Sequence, residues 1–155
     1  MTAYEILPDS TRVWIYQASR PFTAAELNEL TRYLHQFADR WVSHNKALRS
    51  FADVFHNQFV VLMVDESQAG ASGCSIDSSV HFLQKLSAHF KIDLFDRLTF
   101  AYQEDGVVKT AHKDQFVQLF EQGIISEETL VFDNLVKNKA DFEQQWLKPL
   151  KENWH

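Results

Sequence analysis

The run Phe59-Val-Val-Leu-Met-Val64 constrains the fold more than any other stretch of this sequence. It is rich in β-branched residues and almost every position is apolar, so it reads as a central strand covered on at least one face. It is also far shorter than the ~20 apolar residues that cross a bilayer as a helix. A second strand-like run over 51–55 precedes it. The turn-prone pair His56-Asn57 between the two runs predicts a hairpin.

Other elements follow from spacing and end signals. Thr11-Arg-Val-Trp-Ile-Tyr-Gln17 reads as a first strand. In Pro21-Phe-Thr-Ala-Ala-Glu-Leu27, Thr23 serves as N-cap, Glu26 closes a capping box and Phe22 staples onto Leu27. Leu27, Leu30, Leu34, Phe37 and Trp41 then recur at helical spacing, which predicts a helix ending near 43–45. A second helix carries Ile76, Val80, Leu83, Leu86 and Phe90, with Asp77 or Ser78 as its expected N-cap. Runs over 98–103 and 107–110 flank Glu104-Asp-Gly106, a second hairpin signal. Beyond them the pattern predicts a helix over 113–122 stopped by Gly123, a strand over 129–132, and a last helix capped near Asn138 and ended by Pro149.

The expected fold class is therefore α+β, an antiparallel sheet with helices. Its first hundred residues follow the order of a ferredoxin-like βαββαβ core, and a C-terminal β-α-β-α extension follows. No repeat or linker divides the chain, and 155 residues make one ordinary domain, so a single α+β domain is expected over 1–155. In this topology the 44–50 loop leaves the same end of the sheet as the 65–76 loop. That would set His44, Lys46 and Arg49 facing Asp65, Glu66 and Cys74 across one cleft.

Composition narrows the function classes. Fifteen Lys and Arg are scattered among twenty-one acidic residues, for a formal net charge of −6, which weighs against binding along a nucleic-acid backbone. The lone cysteine, Cys74, has no internal disulfide partner and gives no reason to invoke an oxidising compartment. The first residues lack the cationic start and apolar run of a signal peptide, so a cytoplasmic location and no membrane partner are expected.

Chemistry concentrates in 65–79. Ser72-Gly-Cys-Ser-Ile-Asp-Ser78 places Cys74 just before a helix N-terminus, where free N–H groups and the helix dipole favour negative charge on an anion or a thiolate. Cys74 is thus the candidate nucleophile, and Asp65 and Asp77 are candidate acid–base residues. Glu66, Ser67, Ser72, Gly73, Ser75 and Ser78 are candidate ligand contacts through carboxylate, hydroxyl and backbone groups. The plainer alternative makes Cys74 a small packing residue and the serines and aspartates caps. A phosphatase loop of the Cys-x5-Arg type is excluded, because position 80 is Val80. Carboxylates Asp65, Glu66 and Asp77 would suit Mg²⁺, but they show no fixed loop spacing. The seven histidines form no His-x-x-x-His pair and have no cysteine partner at zinc spacing, so no metal and no cofactor is expected.

The segments Arg12-Val-Trp-Ile-Tyr-Gln, Arg20-Pro-Phe-Thr and the whole of 65–79 resemble a family of small bacterial proteins that often carry the label "ABC transporter ATPase". The resemblance continues through Phe95-Asp-Arg97 and Trp146 to Trp154-His155, and it implies a bacterial source without an established activity. The residues do not support the label. A P-loop needs Gly-x-x-x-x-Gly-Lys-Ser/Thr so that amides and the lysine hold phosphates, and Gly70-Ala-Ser-Gly73 is followed by Cys74-Ser75 with no lysine.

Two function classes are left. One is a non-catalytic module that uses 65–79 to bind a small ligand, a protein or a second copy of the chain. The other is a small hydrolase or transferase with Cys74 as nucleophile, or with Asp65, Glu66 or Asp77 as acid–base or metal-binding carboxylates.

Overall fold

A computed structural model describes residues 3–153; the Trp154-His155 end of the resemblance lies outside the described residues, as do the first two positions of the N-terminal reading. The architecture is α+β with antiparallel sheets. The central strand is β5 (Phe59–Asp65), all seven of whose residues are buried, flanked by β1 (Arg12–Gln17) and β4 (Arg49–Phe55) in the order β1-β5-β4. Its alternation explains the unbroken apolar run. Val60, Leu62 and Val64 enter one core with Leu30 and Leu34 of α1 (Ala24–Arg40) and Leu83, Leu86 and Phe90 of α2 (Gly73–Phe90). Phe59, Val61 and Met63 enter a second core with Val13, Ala101, Phe142 and Trp146. Both faces of the strand are covered, and each large apolar side chain buried this way contributes about 1.5–3 kcal/mol.

Helix α1 starts where its capping box predicts. Thr23 Oγ1 accepts the Glu26 N–H at 3.2 Å, Glu26 accepts the Thr23 N–H at 2.9 Å, and the Arg20 fork holds the same carboxylate at 2.8 and 2.9 Å. The helix ends at Arg40, earlier than its spacing predicts. The next residues instead form a small hairpin, β2 (Val42–Ser43) against β3 (Lys46–Ala47), turned by His44 and Asn45, both at positive φ. His56-Asn57 makes the same two-residue turn between β4 and β5, as expected of paired positive-φ residues in a hairpin.

The β1-β5-β4 order is that of the first three strands of the expected ferredoxin-like core. The fourth departs from it. β6 (Thr99–Glu104) belongs to a second sheet with β7 (Val107–His112), β8 (Leu130–Phe132) and β9 (Leu147–Pro149), in the order β7-β6-β8-β9. With β7 and β8 on its two edges, β6 has no edge left for β1. Helix α3 (Lys113–Glu121) packs on this sheet through Phe116, beside Tyr102, Ala111 and Val131. Helix α4 (Lys139–Gln145) is capped by Asn138 as expected, but it stops before Pro149. Residues 147–149 are drawn into the ladder as an edge strand, the place in a sheet that tolerates a proline, and α5 (Leu150–Asn153) follows.

Candidate functional site

The 65–79 segment is held by its own hydrogen bonds. Asp65, at the end of β5, is 2 % exposed; it accepts the Ser67 N–H at 3.0 Å and meets Arg49, its ladder partner, at 3.2 Å. The Ser67 bonds foremost, aided by the Arg49 charge, hold the Asp65 carboxyl below its ordinary range. The expected approach of Arg49 to Asp65 therefore occurs, but within the sheet ladder rather than across a cleft. Glu66 turns back over the loop to accept the Ala71 N–H at 2.8 Å and lies 3.8 Å from Arg12.

Helix α2 begins earlier than Asp77 or Ser78. Its N-cap is Ser72, whose Oγ accepts the Ser75 N–H at 3.2 Å while Ser75 Oγ accepts the Ser72 N–H at 2.7 Å. A pair of serines thus makes the capping box that Ser/Thr with Glu usually makes. Cys74, Asp77 and Ser78 consequently lie inside the first turns, not at the cap, and Gly73 is the first helical residue. Cys74 is exposed, so it does not pack the helix entrance. With Asp77, Ser78, His81, Phe82, Lys85 and Phe37 it lines a shallow depression of about 480 Å³ along one face of α2. Asp65 and Glu66 do not line it, so the candidate nucleophile and two of its three candidate carboxylates are not brought together. No hydrogen bond reaches the Cys74 sulfur among the described residues. Nor does any group of three or more His, Cys, Asp or Glu among them suit a metal ion. No helix among them is long and apolar enough to cross a membrane.

A larger site lies elsewhere. A cleft of about 870 Å³ opens between β1 and the second sheet, lined by residues 12–17, 94–97, 99–101 and 131–137 with Phe116, Leu150 and Asn153. It exists because β6 does not pair with β1. At one end Val13 donates to the Lys137 carbonyl at 3.0 Å and Lys139 donates to the Thr11 carbonyl at 2.8 Å. At the other, Gln17 donates from Nε2 to the Thr99 carbonyl at 3.1 Å and accepts from Asn134 at 3.0 Å. Between these ties the free edge of β1 is open.

The charges around this cleft are unequal. Asp96 is engaged by the Leu98 N–H at 2.8 Å and the Thr99 hydroxyl at 2.6 Å; the Thr99 bond is the main reason its carboxyl is held below the usual range. Asp133 accepts the Leu135 N–H at 3.0 Å and lies 3.6 Å from Lys148. Arg97 and Lys137 are exposed and have no ion-pair partner among the described residues. The lining carboxylates are committed, whereas two of the cations are not. Tyr16 adds a phenol raised above its ordinary pKa by burial, with Arg97 opposing that shift.

None of the cleft residues stands out in the sequence as a candidate ligand contact. They come from segments as far apart as Arg12 and Asn153, joined by contacts such as those of Gln17 with Thr99 and Asn134, and no local motif marks such a surface. The only usable signal would have been the edge position of β1, which depends on long-range pairing. No family model matches this chain, and no curated protein and no solved structure matches it at a significant level.

Proposed function

We propose that the protein is a non-catalytic binding module whose ligand surface is the cleft along β1 rather than the 65–79 segment. The observation that carries this reading is the cleft of about 870 Å³, where a free strand edge and two uncommitted cations lie together. That volume falls within the range of ordinary ligand sites, roughly 300–1,000 Å³. Hydrolytic or transfer chemistry has less support, because Asp65 and Glu66 are spent on closing their own loop and lie apart from Cys74. Segment 65–79 approaches the cleft at its rim, where Glu66 lies 3.8 Å from Arg12.

A ligand that binds only the folded chain stabilises it by RT ln(1 + [L]/Kd), about 2.7 kcal/mol at a hundredfold excess over Kd. Thermal unfolding of the full chain against a panel of small carboxylates, phosphate and short peptides tests the reading. It expects an anionic ligand whose stabilisation disappears in the Arg97→Glu, Lys137→Glu double variant. Stabilisation that ignores both charges, or none from any compound in the panel, would overturn it.

A second reading has one observation in its favour: Cys74 is exposed and shares its depression with His81, two helical turns further on. It requires a turnover that Cys74→Ala abolishes.

A further inference from the structure

Resting on the binding reading above, we infer that the occupant of the cleft is an extended acidic peptide segment that adds a strand to the free edge of β1. The alternation of β1 identifies the groups available to it. Thr11 and Val13 turn their backbone groups away from β5, as their bonds to Lys139 and Lys137 show, while Ala18 turns inward to Gln58. Antiparallel strands alternate in this sense residue by residue, so Ile15 faces outward as well. Its N–H and C=O have no partner among the described residues. Ile15 is itself one of the residues that line the cleft.

A strand edge carrying both a donor and an acceptor matches a peptide backbone, which offers both in the same alternation. The open stretch 14–17 has room for about four residues, or ~13 Å at the rise of a strand. The chain already pairs with this edge in that manner: Asn138 forms an antiparallel bridge with Arg12, and the pairing stops where residues 133–136 turn away. An added segment continues a ladder that the protein itself begins.

Charge selects the kind of peptide. Lys137 stands at the Val13 end of the open edge, through the bond its carbonyl accepts there. Arg97 lines the cleft at the other end, two residues before Thr99, whose carbonyl accepts from Gln17. A third unmet donor is the side-chain nitrogen of Asn153, which is buried, belongs to a residue lining the cleft and has no hydrogen-bond partner. Uncommitted cations at both ends and an orphaned donor in the lining together call for acceptor-rich, anionic side chains on the incoming strand.

The test is selection of a randomised hexapeptide library on the immobilised full chain, followed by fluorescence-polarisation titration of the selected peptides made synthetically. The selected set is expected to be enriched in Asp and Glu. The Ile15 amide should become protected from hydrogen exchange on binding, and the Arg97→Glu, Lys137→Glu variant should lose affinity by more than roughly tenfold. Ile15→Pro removes the outward N–H at an edge position, where the β5 ladder does not use it, and should weaken binding by a similar factor. If that variant does not fold, the exchange measurement decides the strand pairing alone. Selected peptides without acidic preference, or bound without protection of Ile15, would overturn the inference. If no peptide is selected but succinate shifts the Ile15 and Asn153 resonances, the peptide is the wrong occupant and the binding reading stands. If neither peptide nor succinate binds, both fall.

Discussion

Asp65 and Arg49 are register partners across the β4–β5 ladder, and their side chains meet at 3.2 Å with the carboxylate buried and the guanidinium half exposed. The carboxylate therefore acts as a closing device for the end of the sheet. It receives the Ser67 amide of the returning loop and neutralises the cation beside it.

The pH dependence of stability follows from this pair. The folded-state pKa of Asp65 lies below its ordinary 3.8, so its contribution is present above that value and is lost as pH falls through the folded pKa. Asp65→Asn should be less stable than the wild type at neutral pH, and the gap should close in that acid range. Urea denaturation midpoints from pH 7 down to pH 2 check this; a gap that stays constant with pH would show that Asp65 is not stabilised as a carboxylate.

Cys74 should react with iodoacetamide in the native protein without denaturant, because it is exposed on the first turn of α2. Cys74→Ala should leave peptide binding in the cleft unchanged, since the residue lines a separate depression. Slow native labelling that denaturant restores would return Cys74 to a packing role. Loss of cleft binding in Cys74→Ala would tie the two sites together.

Some of this arrangement is legible in the sequence, and the reasons it fails elsewhere are physical. The dipeptide His-Asn occurs at both 44–45 and 56–57, and both copies form the same positive-φ turn. Only the second lies between evident strands. The first follows a helix whose apolar spacing runs on to Trp41, so the local pattern favours continued helix there. In the structure Trp41 still enters the core, but in extended conformation, with its indole donating to the Ser75 carbonyl at 2.8 Å. Thr23 with Glu26 announces a helix start because the residue types match the usual box. Ser72 with Ser75 does the same job with a shorter side chain that no pattern flags. The cleft was least legible, since the sequence order of strands is the same whether β6 joins β1 or a second sheet.

The two serines of the α2 cap should be energetically coupled. Each oxygen accepts the other residue's N–H, so either alanine substitution also exposes the partner's bond to competition from water. Single substitutions should each cost about 1 kcal/mol, as N-cap replacements do. The double variant should cost less than the sum, because the second change removes a bond already weakened. A double-mutant cycle by urea denaturation reads this directly. Strict additivity would mean that the two bonds form independently.

Lys139 supports a further stability prediction. A lysine in the first turn of a short helix reads as a solvated charge, yet this one is 5 % exposed. Its ammonium donates to the Tyr4 carbonyl at 2.9 Å and the Leu7 carbonyl at 2.8 Å, and it lies 4.3 Å from the Tyr4 ring centroid. Glu143 stands 3.9 Å away, and Tyr4 has its phenol pKa pushed up to about 12, chiefly by burial and then by Glu143. The N-terminal segment is thus held to α4 by this cation, together with the Ala140 N–H that donates to the Asp9 carbonyl at 3.0 Å. Lys139→Met keeps most of the apolar stem but leaves both carbonyls without their donor, at a cost of about 1–3 kcal/mol for each unsatisfied group that stays buried. The segment would instead detach so that water can reach those carbonyls, uncovering Leu7 and the core around Phe142. Limited proteolysis should then cut near Tyr4 in the variant and not in the wild type, with a lower melting temperature. An unchanged cleavage pattern would show that Leu7 and the core hold the segment without the lysine.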